Sequence, residues 1–159
     1  MKQSMDLKAL FESQALLEQG ETKYPDPILV DTDAIVALLN EQDANHRKAL
    51  EVVNFLVRNS LLFVISNHVF GESLTVVSKK VGHKEAVDYL HQVRNGLFEI
   101  LRINEKLEDL AYNIFADQSS KNVSFIDCTN MAVLIRYRWN TIFSFDQVYP
   151  KNGFKLATT

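Results

Sequence analysis

The feature that most constrains this chain is an alternation between short apolar runs of strand length and longer stretches with helical spacing. Ile28-Leu29-Val30, Leu61-Leu62-Phe63-Val64-Ile65, Leu97 to Ile103, Thr141-Ile142-Phe143-Ser144-Phe145 and Phe154-Lys155-Leu156 are too short for helices, and most are rich in β-branched or aromatic residues. Between them, apolar residues recur at helical intervals. The segments are Ala34 to Leu39, then Leu50, Val53 and Leu56, then about Asn67 to Lys80, then Val87, Leu90 and Val93 with Asn95-Gly96 as a stop. Leu107, Leu110, Ala111, Ile114 and Phe115 follow, and finally Cys128, Met131, Ala132 and Ile135. Strands separated by helices pair through crossovers and therefore run parallel. The expected fold is α/β: a mainly parallel sheet of four or five strands with helices on both faces.

Residues 1–26 read as an N-terminal extension. Leu7, Leu10, Phe11 and Leu17 fall at helical spacing, and Gly20-Glu21-Thr22-Lys23-Tyr24-Pro25-Asp26-Pro27 reads as a linker. Residues 27–159 then form one domain, since only 5 Gly and 3 Pro punctuate the chain and no internal repeat occurs. With 47% hydrophobic and 23% charged residues, the composition excludes a disordered or fibrous chain. The longest apolar run, Ala34 to Leu39, falls far short of the roughly 18 residues a membrane span needs, and Met1 to Asp6 leads into no secretory signal. The single cysteine, Cys128, allows no internal disulfide and suits a small core position. A cytoplasmic protein without a membrane partner is expected.

Four acidic residues interrupt apolar sequence at strand ends or early helix turns: Asp31, Glu72, Asp127 and Asp146. In a parallel sheet these positions share one rim, where ligands of open α/β sheets bind. Clustered carboxylates repel one another unless a divalent cation neutralises them, and Mg²⁺ or Mn²⁺ prefers oxygen ligands. Such a set suits metal-assisted hydrolysis of a phosphodiester. Each acid also has a structural alternative. Asp31 suits a helix cap, Ser124-Phe125-Ile126-Asp127 a capping box, Asp146 a turn, and Glu72 a solvated helix face.

The charge balance, 17 Lys+Arg against 20 Asp+Glu for a net −3, excludes a protein that grips nucleic acid through bulk positive charge. Lys79, Lys80, Lys84, Arg136 and Arg138 are candidates for local phosphate contacts, with helix-dipole compensation as the alternative. His46, His68, His83 and His91 show no metal-ligand spacing and suit solvent-facing or capping roles.

From Ile28 to Leu156 the chain resembles the PIN-domain ribonucleases, and within them the VapC-type toxins of toxin-antitoxin pairs. The resemblance rests on Ile28-Leu29-Val30-Asp31-Thr32-Asp33 with the helix after it, on Glu72, and on Ser124-Phe125-Ile126-Asp127-Cys128-Thr129-Asn130-Met131-Ala132. It continues through Ile142-Phe143-Ser144-Phe145-Asp146 and Gly153-Phe154-Lys155-Leu156. It implies a Mg²⁺- or Mn²⁺-dependent endoribonuclease in which Asp31, Glu72, Asp127 and Asp146 hold the metal and act in catalysis. It further implies an RNA substrate, a cognate antitoxin as protein partner, and a homodimer. Two departures stand out: Asp33 where the family usually carries Ser or Asn, and Gln147-Val148-Tyr149 where a second acid or an aromatic often follows the fourth aspartate.

Two other readings compete. Asp31-Thr32-Asp33 after an apolar strand looks like the opening of a haloacid-dehalogenase-type phosphatase, although Ala34 replaces the expected glycine and Glu72 and Asp127 go unused. The other is a catalytically silent PIN scaffold, which the presence of all four acids disfavours.

Overall fold

A computed structural model describes residues 26–159, so the stripe of Leu7, Leu10, Phe11 and Leu17 lies outside the described residues. The sheet has five strands: β1 (Ile28–Val30), β2 (Phe63–Ser66), β3 (Glu99–Leu101), β4 (Thr141–Phe143) and β5 (Lys155–Leu156). Every pairing is parallel, in the order β3-β2-β1-β4-β5. Helices fill the crossovers: α1 (Thr32–Leu39), α2 (His46–Arg58), α3 (Asn67–Lys80), α4 (His83–Arg94), α5 (Glu105–Asp117), α6 (Phe125–Tyr137) and the short α7 (Val148–Lys151).

Alternation along each strand divides the core into two layers. Ile28, Val30, Phe63, Ile65 and Phe143 point to one face and pack with α1, α2, α3 and α4 residues such as Ile35, Val53, Val69 and Tyr89. Leu29, Val64 and Ile142 point to the other, against Leu107, Ala111, Met131, Leu134 and Tyr149 of α5, α6 and α7. With both faces covered, the central strands are apolar throughout rather than alternating.

The strands are shorter than their apolar runs. Leu61 and Leu62 precede β2, and Ser144 and Phe145 leave β4 early to form the loop that carries Asp146. Helix stripes shift in the same way. In α4 the buried residues are Ala86, Tyr89 and Val93, while Val87 and Leu90 line an open groove of about 390 Å³ between α3 and α4. In α6 every residue from Asp127 to Leu134 is buried, so no single apolar stripe marks it, and Ile135 lies outside. Phe115, at the end of the α5 stripe, is exposed and meets only the edge of the Phe125 ring among the described aromatics. The stop after α4 is as expected, with Asn95 as the cap and Gly96 at φ +94° taking the left-handed turn. Cys128 is fully buried, and burial pushes its thiol up to about 11.

The sheet order fixes where a site can form. The chain winds outward from β1 to β3 in one direction and from β4 to β5 in the other, so the crevice beyond the carboxyl ends of β1 and β4 is the switch point. Asp31 leaves β1 there, and Ser144 to Asp146 leave β4 there.

Candidate active site

One cavity of about 350 Å³ opens at that switch point, and Asp31, Glu72, Asp127 and Asp146 all line it. Asp33 and Asp43 line it too, as do Lys80, Asn122 and Ser124. Four separated segments thus bring their acids to one place.

Asp31 is the most enclosed. It caps α1, with extended backbone and its Oδ1 accepting from Thr32 N at 2.8 Å, so the capping alternative and the site reading describe the same residue. Oδ1 also accepts from Asn130 Nδ2 at 3.1 Å, while Oδ2 accepts from Ser144 Oγ at 3.1 Å and from Tyr149 OH at 2.8 Å. Burial above all, with the charge of Asp33 next, raises its carboxyl to about 7 against these donors.

Asp127 fulfils the capping box at the start of α6. Its Oδ2 accepts from Ser124 N at 2.7 Å, and Ser124 Oγ accepts from Asp127 N at 3.0 Å. Its other oxygen stands 3.4 Å from the Tyr149 hydroxyl and contributes to the field on Asp31. Glu72, on α3, accepts from Thr32 Oγ1, which ties that helix to the first turn of α1. Ser66 at the end of β2 starts α3 by accepting from Val69 N at 3.0 Å. Asp146 is exposed and does close a turn, its Oδ1 accepting from Val148 N at 2.8 Å.

Two residues that sequence reasoning did not place in the site belong to its geometry. Asp33 Oδ2 accepts from Phe145 N at 2.8 Å and stands 3.1 Å from Ser144 Oγ, whose single proton it shares with Asp31, so it clamps the loop leading to Asp146. Its Oδ1 is buried without a hydrogen-bond partner, and burial raises its carboxyl above the ordinary range. Tyr149 is fully buried with its hydroxyl among Asp31, Asp127 and Asn130. Both stood in the sequence as departures from the family pattern, and the spacing Asp31-x-Asp33 was the one available signal for the first.

The basic candidates separate. Lys80 lines the cavity, whereas Lys84 pairs with Asp88 at 2.7 Å on exposed helix surface. Arg136 and Arg138 are exposed at the far end of α6, with Arg136 nine residues beyond Asp127 and so about 14 Å along the helix. His46 Nδ1 lies 2.7 Å from Ala37 O near the end of α1, and His83 Nδ1 lies 3.2 Å from Ser78 Oγ. These are local contacts away from the acids.

Among the described residues, no three carboxylates or imidazoles stand close enough to enclose an ion by themselves. The donor set still suits a hard cation. Every acid offers oxygen, Asp33 Oδ1 has no protein donor, and Mg²⁺ commonly keeps several waters while touching only one or two carboxylates.

Comparison with known proteins agrees with this architecture. The PIN domain family profile matches residues 28–155. VapC20 of Mycobacterium tuberculosis, described as a 23S rRNA-specific endonuclease, is 28% identical over 127 residues, covering 80% of this chain and 95% of its own. The crystal structure of that protein, described as a sarcin-ricin loop cleaving toxin, superposes with a TM-score of 0.70 over the same shares. FitAcB from Neisseria gonorrhoeae shares the fold, with a TM-score of 0.58 at 19% identity over 81% of this chain and 95% of that one.

Proposed function

The chain belongs to the PIN-domain family, and from that premise we propose that it is an endoribonuclease, the toxin of a toxin-antitoxin pair, dependent on Mg²⁺ or Mn²⁺. The observation that carries the proposal is the convergence of Asp31, Glu72, Asp127 and Asp146 on one cavity at the switch point of the sheet. These four, with Asp33, are the residues that would hold the cation. A bound divalent ion would offset the carboxylate repulsion, stabilise charge developing on phosphate oxygens and lower the pKa of an attacking water.

The protein's own groups do the rest. Asp31 and Asp127 are held from behind by the capping hydrogen bonds that start α1 and α6, so their orientation is built into the helix starts. The Asp33 clamp on Ser144 and Phe145 holds the loop of Asp146 at the rim. Among the residues lining the cavity, Lys80 would supply positive charge for a phosphate, and Asn122 and Ser124 polar contacts. The phosphatase alternative leaves Glu72 and Asp127, which line the same cavity as Asp31, without a role.

Resemblance to VapC20 makes a ribosomal RNA loop the first substrate to test, with a cognate antitoxin as inhibitor. Purified protein is incubated with a sarcin-ricin hairpin and Mn²⁺, with and without EDTA, beside an aryl-phosphate assay. Cleavage of RNA that EDTA stops is expected. Aryl-phosphate turnover without RNA cleavage would overturn the proposal.

A further inference from the structure

Behind Asp31, Asn130 and Tyr149 close a polar ring onto its carboxylate, and the proposed chemistry gives neither of these two a part. Asn130 donates from Nδ2 to Asp31 Oδ1 at 3.1 Å and to the Tyr149 hydroxyl at 3.0 Å, and the hydroxyl donates to Asp31 Oδ2 at 2.8 Å. All three residues are buried, so water does not compete for these bonds. The two Asn130 protons fill both directions of its amide nitrogen, and the bond into the Tyr149 oxygen turns the tyrosine's single proton away from Asn130 and toward the acids. That proton goes to Asp31, while Asp127 Oδ1 at 3.4 Å stands as the next acceptor. One hydroxyl thus lies between two carboxylates from different segments, the cap of α1 and the first turn of α6.

We infer that Tyr149 is a positioning residue: its hydroxyl fixes the Asp31 carboxylate relative to Asp127 and so sets the affinity of the cavity for a divalent cation. This rests on the metal centre proposed above. The ring of Tyr149 belongs to the core layer that holds Met131, Leu134 and Ile142, and a phenylalanine would serve that part equally well. The hydroxyl is the part without a packing role. A phenol is neutral at ordinary pH, so the hydroxyl remains a donor. Donors behind a ligating carboxylate commonly change metal affinity by about 10- to 100-fold when removed.

The test is Mn²⁺ alone, titrated into the full chain and followed by the loss of the free-ion electron paramagnetic resonance signal, with no RNA present. Tyr149→Phe should bind Mn²⁺ about 10- to 100-fold more weakly than the wild type. Replacement of Tyr149 by para-aminophenylalanine, which restores a neutral donor at the same point, should recover most of that loss. Melting in EDTA supplies the control. If Tyr149→Phe lowers the melting temperature but binds Mn²⁺ within twofold of wild type, or binds it more tightly, the hydroxyl is structural and the inference is overturned. Should Tyr149→Phe fail to fold, the para-amino replacement decides alone against para-methylphenylalanine, which fills the space without a donor; equal Mn²⁺ affinities overturn the inference. A wild-type chain that binds no Mn²⁺ overturns the proposed metal centre as well, which separates the two failures.

Discussion

Asp31→Asn should stabilise the metal-free protein, and by an amount that depends on pH. In the folded chain burial and Asp33 raise Asp31 to about 7, against an ordinary 3.8 when unfolded. The folded state therefore holds a proton that the unfolded state releases between those values. The contribution of Asp31 to wild-type stability is fully present below about pH 4 and is lost as pH rises toward about 7. The gap between those two values corresponds to at most roughly 4 kcal/mol, at about 1.36 kcal/mol for each tenfold change in proton affinity, and more than half of it falls between about pH 5 and pH 8. The substitution removes this term.

The amide retains much of the hydrogen bonding. Its carbonyl can face Thr32 N and Asn130 Nδ2, and its NH₂ can face Ser144 Oγ and Tyr149 OH, two hydroxyls that can turn to accept. The weaker neutral bonds cost the variant about 1 kcal/mol at every pH and cancel from the comparison, so the advantage of Asp31→Asn over wild type should grow by about 3 kcal/mol from pH 5 to pH 8, or roughly 6–12 °C in melting temperature. Thermal melts of both proteins in EDTA at the two pH values measure it. Variant and wild type keeping the same difference at both pH values, or the variant melting several degrees lower at pH 8, would refute the reasoning that this carboxylate is buried against its own charge. RNA cleavage by the variant should be lost throughout.

Asp146→Asn should abolish metal-dependent cleavage while moving the melting temperature little, because Asp146 is exposed and its turn bond to Val148 N can be kept by the amide oxygen; circular dichroism melts and the RNA assay check both. Ser144→Ala removes a hydroxyl that serves Asp31, Asp33 and the Asp146 amide together, so a loss of about 1–3 kcal/mol by denaturant titration is expected along with slower cleavage. A chain shortened to residues 26–159 should fold and bind Mn²⁺ as the full chain does, since the family match begins at residue 28; gain of cleavage on shortening would instead place residues 1–25 over the cavity.

The parallel sheet was legible because burial on both faces leaves its central strands apolar from end to end, and Leu29, Val30, Val64 and Ile65 carry that pattern. Helix faces were less legible for the same reason in reverse. Asp127 to Leu134 are buried on all sides, so α6 shows no stripe, while Val87 and Leu90 look like core in sequence and line an open groove instead. The four acids could be read because each breaks apolar sequence. Asp33 offered only its spacing from Asp31, and Tyr149 no signal, since an aspartate in a first helical turn and an aromatic beside a short helix are ordinary; the fold shows that both reach Asp31 or the loop of Asp146.

Capping and catalysis are not rival explanations at this site. A helix start presents unpaired N–H groups, which need an acceptor and favour negative charge. Placing Asp31 before α1 and Asp127 at the third position of α6 satisfies those groups with one side of each carboxylate, Thr32 N for the first and Ser124 N for the second. The helix starts thereby supply a fixed orientation that a carboxylate on a free loop would lack. Their location at the switch point of the sheet turns both toward one cavity. The cost is visible in Asp31, which is held so far from water that it resists ionising, and that resistance is what a cation would relieve. In the proposed function, the same bonds that make these acids look structural in the sequence would be the ones that ready them for a metal ion.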